Sequence, residues 1–518
     1  MTRQLCVIGV ATHTWHPEAT GNDSQNDNDG APEPLTMWRH VVREAIRDAQ
    51  ATTQQQLLDH VDALEVVYCQ TTQYDDAPRR LAEALGISPQ RTNYSGVGGT
   101  TPQQLVNATA RRMLAGEEDV AVIVSGEALH TRQNAKKAGN KLTYAHRPSD
   151  KRPFPWEAPF HPDEVAHEVF QAWLTFAFFD NARRAKLGAG LEEYRRGTGD
   201  LMSRFCTVAA NNPDAWYRTP RSGEDIATVR ADNRLVGYPY TKYMISVMDV
   251  DMAAALVVAT DDAADALGVP KERRVYLEGW GYATDPVYVA QHADLTSSPA
   301  MRAASTAALS AAGTGIDDVE YLDIYSCFPS SVHFALDALD LGVDDRRNFT
   351  LTGGLPYHGG AASGYMTHSI AAMTRAVRDS DSTGLLTGVG MHMTKHVAAV
   401  YRSHPTHSRP PDDAEIQAAV ELAYPRRRIA DIGELAASGP VTGTLAAYSV
   451  VHGRDGAATH GVAVCDLDKL TRAYGWIDDP DLLEELETIE LIGTEVALTA
   501  RRVDTKMGPS TKNILHRR

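Results

Sequence analysis

The order of apolar and polar positions in the first part of the chain predicts strands that alternate with helices. Short apolar runs, typical of buried strands, occupy residues 4–12, 61–69 and 119–128. Apolar residues at helical spacing occupy residues 37–50 and 77–86, and the second segment ends in a glycine, which commonly stops a helix. Alternating strands and helices form sheets whose faces are covered, so the pattern predicts a largely parallel sheet in an α/β fold.

The same order of elements returns in the second half of the chain. VDALEVVYCQ followed by LAEALGI resembles VEYLDIYSCF followed by ALDALDLGV. Each copy continues with a Gly-Gly pair (Gly98-Gly99 and Gly353-Gly354), a helical segment and an apolar strand. A duplicated α/β unit therefore explains most of the first 400 residues, because such self-similarity is the mark of a repeated structural unit.

The remaining segments differ from this pattern. An acidic loop is predicted at 18–33, and an aromatic, basic and proline-containing insertion, a common place for ligand-binding elements, follows the first copy. A Pro/His/Ser linker follows the second copy. Beyond it, apolar and polar positions alternate on both sides of Gly-Arg-Asp-Gly, which predicts a hairpin in a small β-rich domain. The predicted division is a first half at 1–127 and 249–273, the insertion at 128–248, a second half at 274–403, a linker at 404–412 and the β-rich domain at 413–518.

The amino-acid composition argues against several classes of binding partner. The 518 residues include 50 basic and 67 acidic side chains, and this net charge of −17 argues against nucleic acid or an anionic membrane as partner. No apolar run reaches the length of about 18 residues that a membrane span requires. The five cysteines lack metal-ligand spacing, which favours reduced thiols, a cytoplasmic location and no metal site.

The glycine-rich turn in NYSGVGGTTPQQLVNATARRML, residues 93–114, is the first candidate binding element. Gly98, Gly99 and Thr100 lead directly into an amphipathic helix, whose first N–H groups have no partners within the helix. Such a turn is suited to hold an anion or a reacting carbonyl oxygen. The turn contains no nucleophilic side chain, although sites of this kind often do.

The doubled α/β unit, the insertion, the Gly-Gly turns and a final strand with Gly-x-Gly together resemble the thiolase superfamily over residues 3–401. The segment at 233–270, which begins NRLVGYPYTK, is similar to sterol-carrier-protein-type thiolases and to acetyl-CoA acetyltransferase-like proteins. YSVVHGRDGAATHGVAV looks like the additional C-terminal domain of thiolase-like proteins of type 1. The resemblance implies a five-layered α-β-α-β-α fold of two similar halves with a loop domain.

The resemblance also assigns motif positions. The position of the thiolase nucleophilic cysteine falls on Gly99, and glycine cannot form an acyl-enzyme. The His-Asp-Cys-Phe motif reads Tyr325-Ser326-Cys327-Phe328, which keeps the acid/base cysteine and replaces the histidine. The histidine of the Gly-His-Pro motif matches His358, or Tyr357 takes its place. The Cys-x-Gly motif retains only its glycine, as Gly390.

Coenzyme A would be the ligand, with no other cofactor. Its phosphates need charge-assisted donors, and the candidates in the insertion are Arg218, Arg221, Arg234 and Lys242. HPDEVAHEVF has two histidines and a glutamate, but not at the spacing of a His-Glu-x-x-His zinc motif, so no metal is predicted there. The expected assembly is a monomer or a thiolase-type homodimer.

Three functions remain open at this level. The first is an acyl-CoA-binding member of the acetyltransferase family in lipid or sterol metabolism that has lost thiolysis. The second is a lyase that cleaves a β-hydroxyacyl-CoA by a retro-aldol reaction and uses a tyrosine near the position of the His-Asp-Cys-Phe motif. In that case the C-terminal domain would be a fused form of a separate β-barrel partner. The third is a CoA-binding protein without catalytic activity.

Overall fold

The computed structural model describes residues 3–17, 32–155, 160–406, 411–436, 439–505 and 508–518. Most of the acidic loop predicted at 18–33, and residues 407–410 of the predicted linker, lie outside the described residues.

The strands and α-helices alternate through the first 400 residues, and strands predominate at the C-terminal end. The strands are β1 (Leu5–Thr14), β2 (Ala63–Val66), β3 (Arg91–Tyr94), β4 (Val120–Ala128), β5 (Leu235–Gly237), β6 (Tyr240–Thr241), β7 (Asp251–Thr260), β8 (Val275–Thr284), β9 (Tyr321–Asp323), β10 (Thr383–Gly390), β11 (Lys395–Arg402), β12 (Arg428–Ile429), β13 (Val441–His452), β14 (Ala458–Asp466), β15 (Thr471–Ile477), β16 (Glu495–Thr505) and β17 (Gly508–Arg517). The α-helices are α1 (Pro34–Asp48), α2 (Gln54–Asp59), α3 (Ala77–Leu85), α4 (Thr101–Ala115), α5 (Leu129–Lys137), α6 (Pro162–Ala166), α7 (Ala172–Leu187), α8 (Leu191–Asn211), α9 (Gly223–Ala227), α10 (Asp261–Ala266), α11 (Pro299–Ala311), α12 (Pro329–Ala338), α13 (Tyr365–Arg378), α14 (Asp413–Ala423), α15 (Ile432–Leu435) and α16 (Pro480–Thr488).

The nine strands of the body follow the order β3-β2-β4-β7-β1-β8-β11-β10-β9, in which the five strands of the first half join the four of the second only through two residue pairs between β1 and β8. Strands β2, β3 and β4 pair in parallel, as do β9 and β10, whereas β7 and β11 run against both of their neighbours. The sheet is therefore mixed rather than largely parallel. The sequence pattern missed this because strand order and direction are set by pairing across the chain, and β7 comes only after the long insertion.

The two copies of the repeat stack as layers around paired central helices. Helices α4 and α13 contact each other between the two halves, while α1 covers the outer face of the first half and α11 that of the second. Gly9 of β1 and Gly279 of β8 are equivalent close-approach points, since a Cβ at either glycine would collide with a carbonyl oxygen of the covering helix, Ala45 or Ala308. This arrangement confirms the predicted five-layered α-β-α-β-α fold of two similar halves.

The C-terminal strands close into a five-stranded barrel. Strand β13 pairs with β14 and β16, β14 pairs with β15, and β17 joins β15 to β16, so that no strand of the ring is left at an edge. The hairpin predicted at Gly-Arg-Asp-Gly connects β13 and β14. The barrel encloses its own apolar core, which includes Leu445, Tyr448 and Leu498. The predicted small β-rich domain is therefore confirmed.

The insertion is joined to the barrel as well as to the body. Strand β5 extends the barrel sheet through the pair Gly237 and Val451. The hydroxyl of Tyr474 donates to Glu164 at 2.9 Å, and the backbone N–H of Asn513 donates to Nε2 of His167 at 2.9 Å. Two residues of HPDEVAHEVF thus hold the insertion against the barrel. The exact domain boundaries stay predictions.

Candidate active site

A cavity of about 600 Å³ lies where the insertion covers the body of the molecule. The turn before α4, the start of α7, the segment 217–249, the turn after β9 and the segment 355–362 all contribute to its wall. Of the residues predicted from the sequence, those that line the cavity are Gly99, Arg221, Lys242, Tyr325, Cys327 and Tyr357.

The space next to Gly99 is filled by Tyr325. An added Cβ at Gly99 would overlap the hydroxyl oxygen of Tyr325 and the carbonyl oxygen of Val389, and it would lie 2.6 Å from Cζ of the tyrosine. Real Cβ atoms do not approach other heavy atoms so closely. The tyrosine therefore occupies the volume in which a side chain at position 99 would stand.

The phenol of Tyr325 and the thiol of Cys327 both have a raised pKa and remain protonated. Burial, with the neighbouring Cys327 and Tyr365, raises the pKa of Tyr325 well above its usual value. Burial raises the pKa of the Cys327 thiol to about 12, and its sulfur lies 3.7 Å from the hydroxyl of Ser331. Both groups are thus protonated near neutral pH and are not bases; the thiol of Cys327 donates to the hydroxyl of Ser331, whereas the hydroxyl of Tyr325 is suited to donate into the cavity.

The glycine turn places the start of α4 against this wall. The N–H of Gly98 donates to the hydroxyl of Ser363 at 3.0 Å, with Gly98 at a φ of +147° that favours glycine. No side chain caps the N-terminal end of the helix at Thr100. Gly390, at the end of β10, lies close to Thr100, and a Cβ there would be 3.3 Å from the threonine hydroxyl. The turn therefore directs the positive end of the α4 dipole toward the cavity.

Tyr357 and His358, the two alternatives for the histidine of the Gly-His-Pro motif, line different cavities. Their carbonyl oxygens accept from the N–H groups of Tyr217 and Trp216 at 2.9 and 2.8 Å, which fixes the segment. Tyr357 lines the cavity with Tyr325, and His358 lines a separate one. Tyr357 therefore shares a cavity with Tyr325 and Cys327, and His358 does not; the sequence left the choice between the two positions open.

Two of the four basic residues predicted to bind CoA phosphates line the cavity, and two do not. Arg221 and Lys242 line the cavity, and the guanidinium of Arg221 lies 4.1 Å from the ring centre of Tyr243. Arg218 is exposed and is not part of the wall. Arg234 donates to the carbonyl oxygen of its neighbour Leu235 at 2.7 Å and is likewise outside the wall.

Much of the wall consists of residues that sequence reasoning did not single out. Trp173 and Phe176 come from α7, Tyr243 and Met248 from the insertion, and Asp249 is the one carboxylate among the lining residues. The aromatic richness of the insertion was a signal for Trp173, Phe176 and Tyr243, but not for Met248. Asp249 had none, because one aspartate before a strand resembles any surface loop.

Among the described residues, no group of three or more histidine, cysteine, aspartate or glutamate side chains could hold a metal ion. His161 begins α6, where its Nδ1 accepts from the N–H of Asp163 at 3.2 Å. Within the same described parts of the chain, no helix combines the length and the apolar composition that a membrane crossing requires.

The layered body, the turn before α4 and the covered cavity define the fold of the thiolase superfamily. Among solved structures, the chain is similar to a monomeric SCP2-thiolase-like protein of type 1 from Mycobacterium smegmatis, with 27% identity, 99% of each chain covered and a TM-score of 0.82. The resemblance predicted from the sequence is confirmed at this level, and it includes the C-terminal barrel because the match spans nearly the whole chain.

Two further structures share the fold over the thiolase body. The dimeric peroxisomal thiolase of Saccharomyces cerevisiae has 12% identity, covers 78% of this chain and 98% of its own, and has a TM-score of 0.55. The Ltp2-ChsH2(DUF35) aldolase has 17% identity, covers 77% and 97%, and has a TM-score of 0.57. No protein-family model and no curated protein sequence matches the chain.

Proposed function

We propose that the chain binds acyl-CoA thioesters in the cavity beside Gly99 and does not catalyse ordinary thiolysis. The observation that carries this proposal is the overlap between the Tyr325 hydroxyl and any side chain at position 99. Thiolysis through an acyl-enzyme needs a nucleophile at this turn. Here both the nucleophile and the volume for it are absent.

The groups that remain are suited to hold a thioester carbonyl. The protonated hydroxyl of Tyr325 offers a hydrogen-bond donor, and the N-terminal end of α4 offers a positive dipole. Arg221 and Lys242 supply the positive charge for CoA phosphates in a protein of net charge −17. The aromatic wall from α7 and the insertion suits an apolar acyl chain.

Calorimetric titration with CoA and with acetyl-CoA tests the binding part. Arg221→Gln and Lys242→Gln should each weaken binding about tenfold, since a hydrogen bond to a charged group contributes about 1.5–3 kcal/mol. Arg218→Gln is the matched control, because it removes the same charge from an exposed position outside the wall. No CoA binding at low salt, or equal losses in all three variants, would refute this part of the proposal.

Incubation with acetoacetyl-CoA and free CoA tests the catalytic part. We expect no thiolysis above the uncatalysed rate and no acyl adduct on Cys327, whose thiol is protonated. Release of acetyl-CoA at an ordinary thiolase rate, with an adduct found by mass spectrometry, would show that another residue replaces the nucleophile.

Carbon–carbon bond cleavage is a second candidate, favoured by the pairing of a phenol donor with a carboxylate in the same cavity. Asp249 would take the hydroxyl proton of a β-hydroxyacyl-CoA, and the Cα–Cβ bond would break with its electron pair moving toward the thioester carbonyl. The resulting enolate would be stabilised by Tyr325 and then protonated at Cα, which gives a ketone and a shorter acyl-CoA. The aldolase of similar fold and the barrel in the same chain support this candidate.

Assays of β-hydroxyacyl-CoA cleavage across chain lengths test the second candidate. Tyr325→Phe and Asp249→Asn should each lower the rate about 10²–10³-fold, the usual loss for one such group. His358→Ala is the control, because His358 lines the other cavity and should leave the rate unchanged. If the wild-type chain binds acyl-CoA and cleaves none of these substrates, the non-catalytic binding function stands alone.

A further inference from the structure

The turn that connects β10 to β11 has a strained backbone. It consists of residues 391–394, because Gly390 and Lys395 are the last residue pair of the two strands. Met391 and Met393 have φ values of +57° and +59°. This is the left-handed region, which glycine enters without cost and which a side chain with a Cβ makes unfavourable.

Hydrogen bonds from two directions hold the turn in this conformation. The ring Nδ1 of His392 forms a hydrogen bond with the hydroxyl of Thr175 in α7, at 2.8 Å. The carbonyl oxygen of Met393 accepts from Nε2 of His396, at 3.1 Å. A strained backbone persists only where the surrounding contacts determine it, and these contacts fix the turn both to the body and to the insertion.

The strained turn places a side chain in the cavity beside Gly99. In the part of the chain that the structure describes, seven residues other than glycine have a left-handed φ, and Met391 and Ala362 are the two that line this cavity. Such backbone conformations cluster at binding and active sites. Met391 is half-buried, so its side chain is within reach of a ligand. Glycine would relieve the strain but would leave this part of the wall without a side chain.

Met391 lies at the end of the cavity where the proposed function places the thioester carbonyl. It comes two positions after Val389, whose carbonyl oxygen would collide with a Cβ at Gly99, and both residues line the cavity. The basic lining residues belong to the segment 217–249 of the insertion. Met391 is therefore part of the wall around the acyl group and not of the wall around the CoA phosphates.

The width of this acyl end is fixed on the side of α7. Phe176 of α7 lines the same cavity, is 1% exposed and packs against Phe328, with ring centres 4.6 Å apart. Thr175, its neighbour in the chain, makes the hydrogen bond to His392. The turn therefore cannot move away from α7 without breaking a hydrogen bond, and Phe176 is held by packing against a second wall residue.

We propose that Met391 is a specificity-determining residue, which restricts the cavity to acyl groups that are unbranched at Cα. A methyl branch next to the thioester carbonyl would meet the methionine side chain, and extra atoms against a fixed wall are unfavourable. This inference rests on the thioester function proposed above, and it names the class of acyl group that the site accepts.

Butanoyl-CoA and isobutanoyl-CoA are matched probes, because they are isomers that differ only in branching at Cα. In calorimetric titrations of the full-length chain, butanoyl-CoA should bind at least about tenfold more tightly, the usual effect of one misplaced carbon in an apolar site. Met391→Gly, which suits the left-handed φ, should make the two affinities equal and leave the affinity for free CoA unchanged.

Met391→Leu should keep the preference for butanoyl-CoA, because leucine and methionine have similar volumes. Gln50→Gly is the matched control, because Gln50 also has a left-handed φ, of +51°, but is exposed and outside the cavity wall. It should change none of the affinities.

Three outcomes would overturn the inference and leave the thioester proposal intact. These are equal binding of the two isomers by the wild-type chain, an unchanged preference in Met391→Gly, and a lost preference in Met391→Leu. Absence of binding of free CoA and of both thioesters to the wild-type chain would overturn the thioester proposal and this inference with it.

Discussion

Gly99 and Tyr325 form one structural unit, although 225 residues separate them in the chain. The tyrosine hydroxyl fills the space beside the glycine, so neither position can change alone without a collision or a void. Both residues line the cavity where the insertion covers the body of the molecule. The turn still presents a helix N-terminus, and the tyrosine supplies the polar group that faces the cavity.

Gly99→Ala should destabilise the chain by about 1–3 kcal/mol, the usual cost of forcing extra atoms into a packed site. Gly197→Ala is the control, because no atom lies within 4 Å of a Cβ at that position in α8 and alanine favours helices. Denaturant unfolding measures both. Equal stability of Gly99→Ala and the wild type would show that Tyr325 moves away at no cost, and would remove the main support for blocked thiolysis.

A second residue-level prediction concerns the buried carboxyl of Asp323, two positions before Tyr325. Burial raises the pKa of Asp323 to about 7, and Oδ1 of the carboxyl has no partner among the described residues. A raised carboxyl pKa means that the folded state keeps a proton which the unfolded state loses from about pH 4 upward. The carboxyl therefore costs stability progressively as the pH rises from about 4 to about 7, and this cost is constant above that range.

Asp323→Asn should remove this cost. The variant should gain stability relative to the wild type by about 1.4 kcal/mol for each pH unit between about 4 and 7, and keep the full gain at pH 8. Parallel urea titrations at several pH values measure the difference, and comparison with the wild type cancels the other titrating groups. A difference that does not change with pH would show that Asp323 is ionised in the folded chain.

At the scale of elements, a buried amide on α7 is one of the links between the insertion and the barrel. The side-chain nitrogen of Asn181 donates to the carbonyl oxygens of Tyr238 at 3.3 Å and Tyr448 at 2.9 Å, and the residue is fully buried. One side chain thus connects a helix, the turn after β5 and the barrel strand β13. The sequence gives no sign of this role, because asparagine inside a helix usually faces solvent.

Asn181→Ala should destabilise the chain by about 1–3 kcal/mol, because the carbonyl oxygen of Tyr448 loses this donor, whereas that of Tyr238 keeps the hydroxyl of Ser449 at 2.9 Å. Asn134→Ala in α5, where the amide contacts only the exposed His130 at 2.8 Å, is the control and should change stability little. Thermal unfolding of the two variants provides the comparison. A cost as small as that of the control would mean that water replaces the amide at this junction.

At the scale of the whole molecule, the barrel and the thiolase body are linked by shared secondary structure. The sheet of the barrel includes β5 and β6 from the insertion, and Glu164 and His167 of the insertion bond to barrel residues. Unfolding of the barrel would therefore expose parts of the insertion and of the cavity that it covers. Such coupling favours one cooperative transition over separate unfolding of two units.

Scanning calorimetry should show a single heat-absorption peak for the full chain. Asn181→Ala, which weakens the junction, should broaden or split this peak, whereas Asn134→Ala should leave its shape unchanged. Two well-separated peaks in the wild type would show that the barrel unfolds independently, despite the shared strands.

The sequence determined the elements and the family of fold. The repeated strand–helix pattern, the Gly-Gly turns and the hairpin at Gly-Arg-Asp-Gly all depend on local spacing and turn chemistry, which are readable along the chain. Only the tertiary structure decided that β7 and β11 run against their neighbours, that Tyr357 lines the same cavity as Tyr325 whereas His358 lines another, and that Arg218 and Arg234 lie away from the cavity. These outcomes depend on contacts between residues far apart in the chain. The pairing of Gly99 with Tyr325 is the clearest case, because the space beside a glycine is defined by the residue that fills it, and no local pattern identifies that residue.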